Sequence, residues 1–379
     1  MGKAVAESRK LRETFDCTVI PIRGNADLAR PRRFSLEKLR TALDVFRALF
    51  AALRKGGIDA VYMTAAINGS AAFRDLCLLL LCRTFGARRI IHLHMKGLRA
   101  RYQASLCYRI LYRMMFSGAD VIHLSESFYD DVSPVVARGK FHVVANGVPD
   151  ILNRNCDESF CSKQCAADPP TILFMSNRFR DKGPLDLLEA SDRLHADGVA
   201  HRVMFVGAGA DPDVERTLNE AAARDPGRVR LHGGRYGAER DALLQTASIF
   251  ALPTFYSFEC QPLVLIEAMA AGLPLISTPE GAISDLVGSD VGILCAQRDV
   301  GALAVAMRRL IEDPQLRGRM GRVARQRYCA DFSLDIFESR LIATLSSLTA
   351  KCPAPAPGRQ PDPLTNFGRE GPVSRPRYR

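Results

Sequence analysis

Short apolar runs alternate with longer amphipathic stretches along most of the chain. In its first half, CTVIPI (17–22), IDAVYMT (58–64), RIIHLHM (89–95), DVIHLS (120–125) and FHVVAN (141–146) are rich in β-branched residues and read as strands. In the second half, TILFMS (171–176), HRVMFVG (201–207), RVRLHG (228–233), SIFALPT (248–254), LPLIST (273–278) and VGILCA (291–296) do the same. Helical patterns fill the gaps, and strands alternating with helices predict parallel sheets built from βα units. The expected class is therefore α/β with two doubly wound sheets. A first domain would cover residues 1–148, a linker 149–169 and a second domain 170–350, whose last helix, 332–348, would pack back on the first domain. From Lys351 onward the chain is rich in Pro, Gly and Arg and lacks apolar periodicity, which predicts a disordered tail over 351–379.

Composition narrows the class. At 379 residues and 47 % apolar, the chain can fill two cores. Its longest apolar run, LCLLLLC at 76–82, falls well short of the roughly 20 residues that span a bilayer. The opening MGKAVAESRKLRE has no apolar signal-peptide core. Eleven cysteines without a paired framework fit a reducing compartment better than a disulfide scaffold. Together these features predict a cytoplasmic protein, soluble or peripheral at the inner membrane face. Cys156, Cys161 and Cys165 form C-x4-C-x3-C in the linker, which is no conventional metal spacing and reads as an incidental insertion.

The net charge of +11 is unevenly placed. Residues 1–150 hold 24 Lys and Arg against 13 Asp and Glu, residues 151–350 hold 22 against 26, and the tail holds 6 against 2. The basic first half fits an anionic membrane surface or a phosphorylated substrate. Without a helix-turn-helix, zinc-finger or aromatic RNA-binding signature, nucleic acid is not an expected partner. The Arg-rich stretch LRARYQASLCYRILYRMMF (98–116) reads as one core helix with a solvated face, and a membrane contact is its second reading.

The chemistry is sharpest in FECQPLVLIEAMAAGLPL (258–275), an apolar stretch that carries Glu259 and Glu267 although no Lys or Arg occurs between Arg240 and Arg298. Pro262 suits the first turn of a helix that Gly272 and Pro274 would stop. Glu259 then lies in the loop ahead of that helix and Glu267 within it. Loops after the carboxyl ends of parallel strands face the ligand crevice. Carboxylates there accept hydrogen bonds from sugar hydroxyls, and free N–H groups at a helix start favour phosphate. A nucleotide sugar unites the two.

The spacing Glu259-x7-Glu267, the following AMAAGLPLISTPEGAISDLV, the preceding ALPTFYSFE and the later MRRLIEDPQLRGRMGRVARQRY resemble the retaining glycosyltransferases of family 4. These enzymes have the GT-B fold of two facing Rossmann-like domains. The resemblance covers most of residues 1–345 and is best from 171 onward. It implies a retaining hexosyltransferase of polysaccharide or glycolipid assembly, with a nucleotide-sugar donor, a glycan or lipid-linked acceptor, no cofactor and no metal. Residue by residue, it implies that Glu259 binds donor-sugar hydroxyls and Glu267 the ribose. Arg178 and Lys182, in SNRFRDKGPLDLLEA, match a basic pair that neutralises the diphosphate, and His94 matches a histidine beside donor sugar and acceptor. The leaving diphosphate itself would help to deprotonate the acceptor, so no covalent nucleophile is nominated.

The chain departs from the family pattern at ECQPL, where Cys260 and Gln261 replace a Gly that usually lies against the sugar, so donor identity stays open. VGAGAD (206–211) lacks the third glycine of a dinucleotide fingerprint, which argues against a dehydrogenase, and Gly207 is read as a loop near the nucleotide. Family members open with a strand and a Gly-rich loop, whereas Met1 here begins inside what reads as the first helix. The central first strand of the N-terminal domain would then be missing, CTVIPI would be the second, and sheet edges would be exposed. Two alternative functions stand beside transfer: a nucleotide-sugar epimerase of GT-B fold and a catalytically silent binding scaffold.

Overall fold

In a computed structural model of the protein, residues 2–22, 36–152 and 169–350 are described. The linker cysteines and the tail beyond Thr349 and Ala350 lie outside them, as do the expectations attached to both. Two parallel sheets form. The first comprises β1 (Ala60–Thr64), β2 (Arg88–His92), β3 (Asp120–His123) and β4 (Phe141–Val143), in the order β1-β2-β3-β4. The second comprises β5 (Thr171–Met175), β6 (Arg202–Val206), β7 (Val229–His232), β8 (Ile249–Leu252), β9 (Leu275–Ser277) and β10 (Gly292–Leu294). Its order, β10-β9-β8-β5-β6-β7, reverses direction between β5 and β8. That reversal opens a crevice at the carboxyl ends of the two strands, the usual place for a ligand in a doubly wound sheet.

Burial explains why the strands were readable. Both faces of β8 are covered, so Ile249, Phe250, Ala251 and Leu252 are all buried, a continuous apolar run of the kind a central parallel strand requires. One sequence expectation fails. Residues 17–22 form no strand, and β1 has β2 as its single neighbour among the described residues. A strand is held by a ladder to a partner, and no described segment supplies one here; Ile20 and Ile22 pack partly against the first core while Val19 is exposed. Two others shift. β2 ends at His92, so His94 lies in the loop beyond it rather than in the strand. The stretch 98–116 is two helices, Leu98–Ala104 and Leu106–Phe116, broken where the Ser105 hydroxyl caps the second by accepting from Tyr108 N–H.

The last helix, Leu334–Thr349, seats Phe337, Leu341, Leu345 and Leu348 against Ile90, Ile122 and Val144 of the first sheet and Leu11 of helix Arg9–Thr14. Arg325 anchors the crossing: it donates to both carboxylate oxygens of Asp150, at 2.8 and 2.7 Å, and to Ala270 O. Cys17, Cys77, Cys82, Cys107, Cys260 and Cys295 are free thiols, and Cys329 is disulfide-bonded. No helix of the described residues is long and apolar enough to cross a membrane.

Candidate active site

The loop after β8 is folded so that Glu259 points inward. Its N–H donates to Tyr256 O at 2.8 Å, and Thr278 after β9 donates its hydroxyl to Thr254 O. Gly281 makes the close approach possible: its φ is +58°, and a Cβ there would stand 2.4 Å from Glu259 O. On the other side Gly183, at φ +76°, brings the turn Arg180–Lys182 onto Pro253, whose carbonyl a Cβ would meet at 2.2 Å. The result is an ion pair across the switch point. Lys182 Nζ donates to Glu259 Oε2 at 2.5 Å and lies 4.5 Å from the Tyr256 ring centroid.

Helix Leu263–Ala270 starts at the N-cap Pro262, one residue later than expected, and ends where Gly272, at φ +68°, lets Leu273 N–H reach Ala268 O. Glu267 sits within it and accepts from Arg240 Nη1 at 2.6 Å. Burial raises the Glu267 pKa, and the Arg240 guanidinium opposes that rise. Both glutamates are thus paired with cations, despite the lack of a nearby one in sequence.

Arg178 lies beneath the turn Arg180–Lys182, bound to protein groups. Its guanidinium donates to both Glu215 oxygens, at 2.5 and 2.7 Å, and to the carbonyls of Gly207 and His232 at 2.5 and 2.7 Å. It is 4 % exposed. The guanidinium is thus held by four protein acceptors, as Lys182 is held by Glu259. Arg180, on the same turn as Lys182 and exposed, is the cation that sequence reasoning passed over. Gly207 is explained by the protein itself: a Cβ there would stand 1.8 Å from Ser176 O.

From the first domain comes a group of uncharged histidines. The ring centroids of His92 and His94 lie 4.3 Å apart with the planes tilted by 32°, and Tyr62 Oη lies 2.6 Å from His92 Nδ1. Burial lowers the His94 pKa to about 4 and that of His123, at the end of β3, to about 3, and holds His92 well below its usual range. The Nε2 atoms of all three are buried without a protein partner. Lys96, two residues past His94, is the group of this loop within electrostatic reach of Glu259 and Cys260.

The domains meet directly beside the site. Lys96 pairs with Glu280, which also accepts from Gln297 Nε2 at 2.6 Å. Ser125 and Ser127 donate to Asp285, and Asn146 N–H donates to Gln261 Oε1 at 2.7 Å. Cys260 packs with Leu124, Phe128 and Ala282, and burial pushes its thiol up to about 12, so it is a packing residue. Sequence reading flagged Cys260 and Gln261 as departures but did not reveal that they dock on the first domain. Glu280 stood in the quoted TPEGA without a role.

With this geometry in place, the comparisons fall into line. The family described as Glycosyl transferases group 1 matches residues 157–327, and this part of the chain is a domain of that family. A glycogen synthase of Mycobacterium tuberculosis is 29 % identical over 217 residues, 56 % of this chain and 50 % of that one. The capsular polysaccharide biosynthesis glycosyltransferase CapM of Staphylococcus aureus is 24 % identical over 265 residues, covering 65 % and 67 %. The chain spans about half the length of most of the curated relatives it matches. Among solved structures, HepE of Anabaena in complex with UDP-glucose superposes with a TM-score of 0.63 at 19 % identity, over 83 % of this chain and 84 % of that one. A sucrose-phosphate synthase of Thermosynechococcus elongatus gives 0.65 at 21 %, over 85 % and 82 %. The fold, two parallel-sheet domains facing across a crevice, is that of these GT-B neighbours.

Proposed function

We propose that the protein is a retaining hexosyltransferase of the family 4 type, moving a sugar from a nucleotide-sugar donor to a glycan or lipid-linked acceptor. The observation that carries the reading is the Lys182–Glu259 pair at the switch point of the second sheet, with Arg240–Glu267 one helix further along. Glu259 takes the hydroxyls of the donor sugar and Glu267 the ribose. As the bond from the anomeric carbon to phosphate oxygen breaks, negative charge develops on the diphosphate. Lys182, Arg180 and the free N–H groups at the start of helix Leu263–Ala270 stabilise that charge without a divalent ion. The diphosphate then accepts the acceptor's proton as the new bond forms on the same face. His94, kept neutral by burial, contributes hydrogen bonding but no charge.

A uridine nucleotide is the first donor to test, because the HepE neighbour binds UDP and UDP-glucose, and GDP-mannose is the second, because a Corynebacterium glutamicum relative depends on it. His123 gathers with His92 and His94 in the first domain, which adds weight to an epimerase as the second reading. One panel of UDP-, GDP- and ADP-sugars separates them. Release of nucleoside diphosphate supports transfer, an isomerised sugar supports epimerisation, and absence of turnover supports a scaffold. Turnover should persist in EDTA; complete loss that added metal restores would remove the cation-only account of the leaving group.

A further inference from the structure

The transfer reading leaves one surface unused. On helix Leu36–Lys55, Val45, Leu49 and Leu53 face the first core, yet the adjacent arc carries Leu43, Phe46 and Phe50 into solvent, with Leu43 47 % exposed. Helix Leu106–Phe116 repeats the arrangement. Its Leu111, Tyr112 and Met115 are buried, while Leu106, Ile110 and Met114 form an outward i, i+4, i+8 stripe, with Leu106 66 % and Ile110 53 % exposed. Helix Gly69–Thr84 packs against both and adds an exposed Phe73. Scattered exposed apolar residues are ordinary, but stripes on neighbouring helices are not.

The charge beside these stripes identifies what covers them. The three helices carry nine Lys and Arg against three Asp and Glu, and one of the three, Asp75, is buried. At 100° per residue, Arg40, Arg47 and Arg54 border the stripe on the first helix, and Arg109 and Arg113 border that on the third. Apolar residues edged by Arg on one side of a helix are the signature of a helix that lies in a lipid interface. We propose that this three-helix face of the first domain docks on an anionic membrane surface, with Phe46 and Ile110 entering the headgroup boundary and the arginines meeting lipid phosphates. The proposal gives a location to the basic excess of the first half, and it stands apart from the transfer chemistry because none of these residues is assigned to the donor or to the leaving group.

The test uses the full chain with two vesicle types, phosphatidylcholine alone and phosphatidylcholine with one-third phosphatidylglycerol. The protein should co-sediment with the second and not the first. Binding should weaken with salt as charges are screened, yet a fraction should persist because apolar insertion is not screened. The double substitution Phe46→Asp with Ile110→Asp, at solvent-facing positions, should lower binding at least tenfold while circular dichroism and nucleotide-sugar turnover stay unchanged. Wild-type binding by the double variant would overturn the proposal, as would failure of the native chain to bind anionic vesicles. Concentration-dependent self-association that the same substitutions abolish, without vesicle binding, would assign the face to a second copy and equally overturn it.

Discussion

The two lips of the crevice are built from opposite materials. The second sheet presents ion pairs, Lys182–Glu259, Arg240–Glu267 and Arg178–Glu215, each holding a carboxylate in a partly dry place. The first presents His94, backed by the buried His92 and His123 and like them held neutral by burial, with Lys96 reaching across to Glu280. Under the transfer proposed above, the lip of ion pairs would hold the charged donor and the histidine lip would face an uncharged hydroxyl acceptor. The contrast extends to the outside, where the first domain leaves apolar helix stripes exposed beside its cations. The two sheets thus differ in the side chains they bring to the crevice as well as in topology, four strands in sequential order against six with a reversal.

The largest expected effect tests whether the pairs of the second lip share one role. Arg178→Ala should cost about 3–5 kcal/mol of stability, because it strands Glu215 and two carbonyls that the guanidinium serves. Donor affinity of the protein that remains folded should hardly change. A denaturant titration alongside nucleotide binding decides it: an unaltered midpoint with lost nucleotide binding would assign Arg178 to the diphosphate.

Acid probes the neutral lip. His94 has a folded pKa of about 4 against a usual 6.5, so the unfolded chain binds the proton first and stability falls as pH drops from 6.5 to 4. The loss from this group is about 1.4 kcal/mol per pH unit in that window, and it is absent above it. Urea unfolding at pH 7 and pH 4.5 should show a shallower loss for His94→Gln than for the native chain. Equal slopes would mean that the imidazole is not desolvated as the packing indicates.

Next come the glutamates themselves. Glu259→Ala and Glu267→Ala should each reduce donor use by more than about tenfold, the consequence of losing charge-assisted hydrogen bonds of roughly 1.5–3 kcal/mol. Full activity of either variant with the native donor would remove that residue from the donor site.

Much of this was legible in the chain because β-rich apolar runs and bounding turns are local signals, and ten of the eleven strand readings correspond to strands β1 to β10. The crevice loop around Glu259 was legible for the same reason, since strand, loop and Pro262 are consecutive. Partners were not. Lys182 lies 77 positions before Glu259 and Arg240 lies 27 before Glu267, so a search for neighbouring cations found none. The partner of Arg178 was hidden in the same way: its charge is legible, but only the fold places Glu215, 37 positions on, against it. The reading of residues 17–22 failed because strand propensity was present without a partner to pair with among the described residues.

Gln261 joins the two lips, and the smallest expected effect lies there. Its Oε1 accepts from Asn146 N–H at 2.7 Å, its Nε2 donates to Leu124 O at 3.4 Å, and its own carbonyl accepts from Asn146 Nδ2 at 3.2 Å. Alanine removes the two side-chain bonds and keeps the backbone one, while glutamate keeps the shorter side-chain bond. If these bonds hold the lips together when donor is bound, Gln261→Ala makes closure harder by about 1 kcal/mol. That penalty corresponds to a rise in donor KM of about fivefold, with kcat little changed because no reacting atom is touched. Gln261→Glu should fall between alanine and the native chain. An unchanged KM for the alanine variant would show that closure rests on Lys96–Glu280 and the Ser125 and Ser127 bonds to Asp285, and that Gln261 merely fills the space left by a missing glycine.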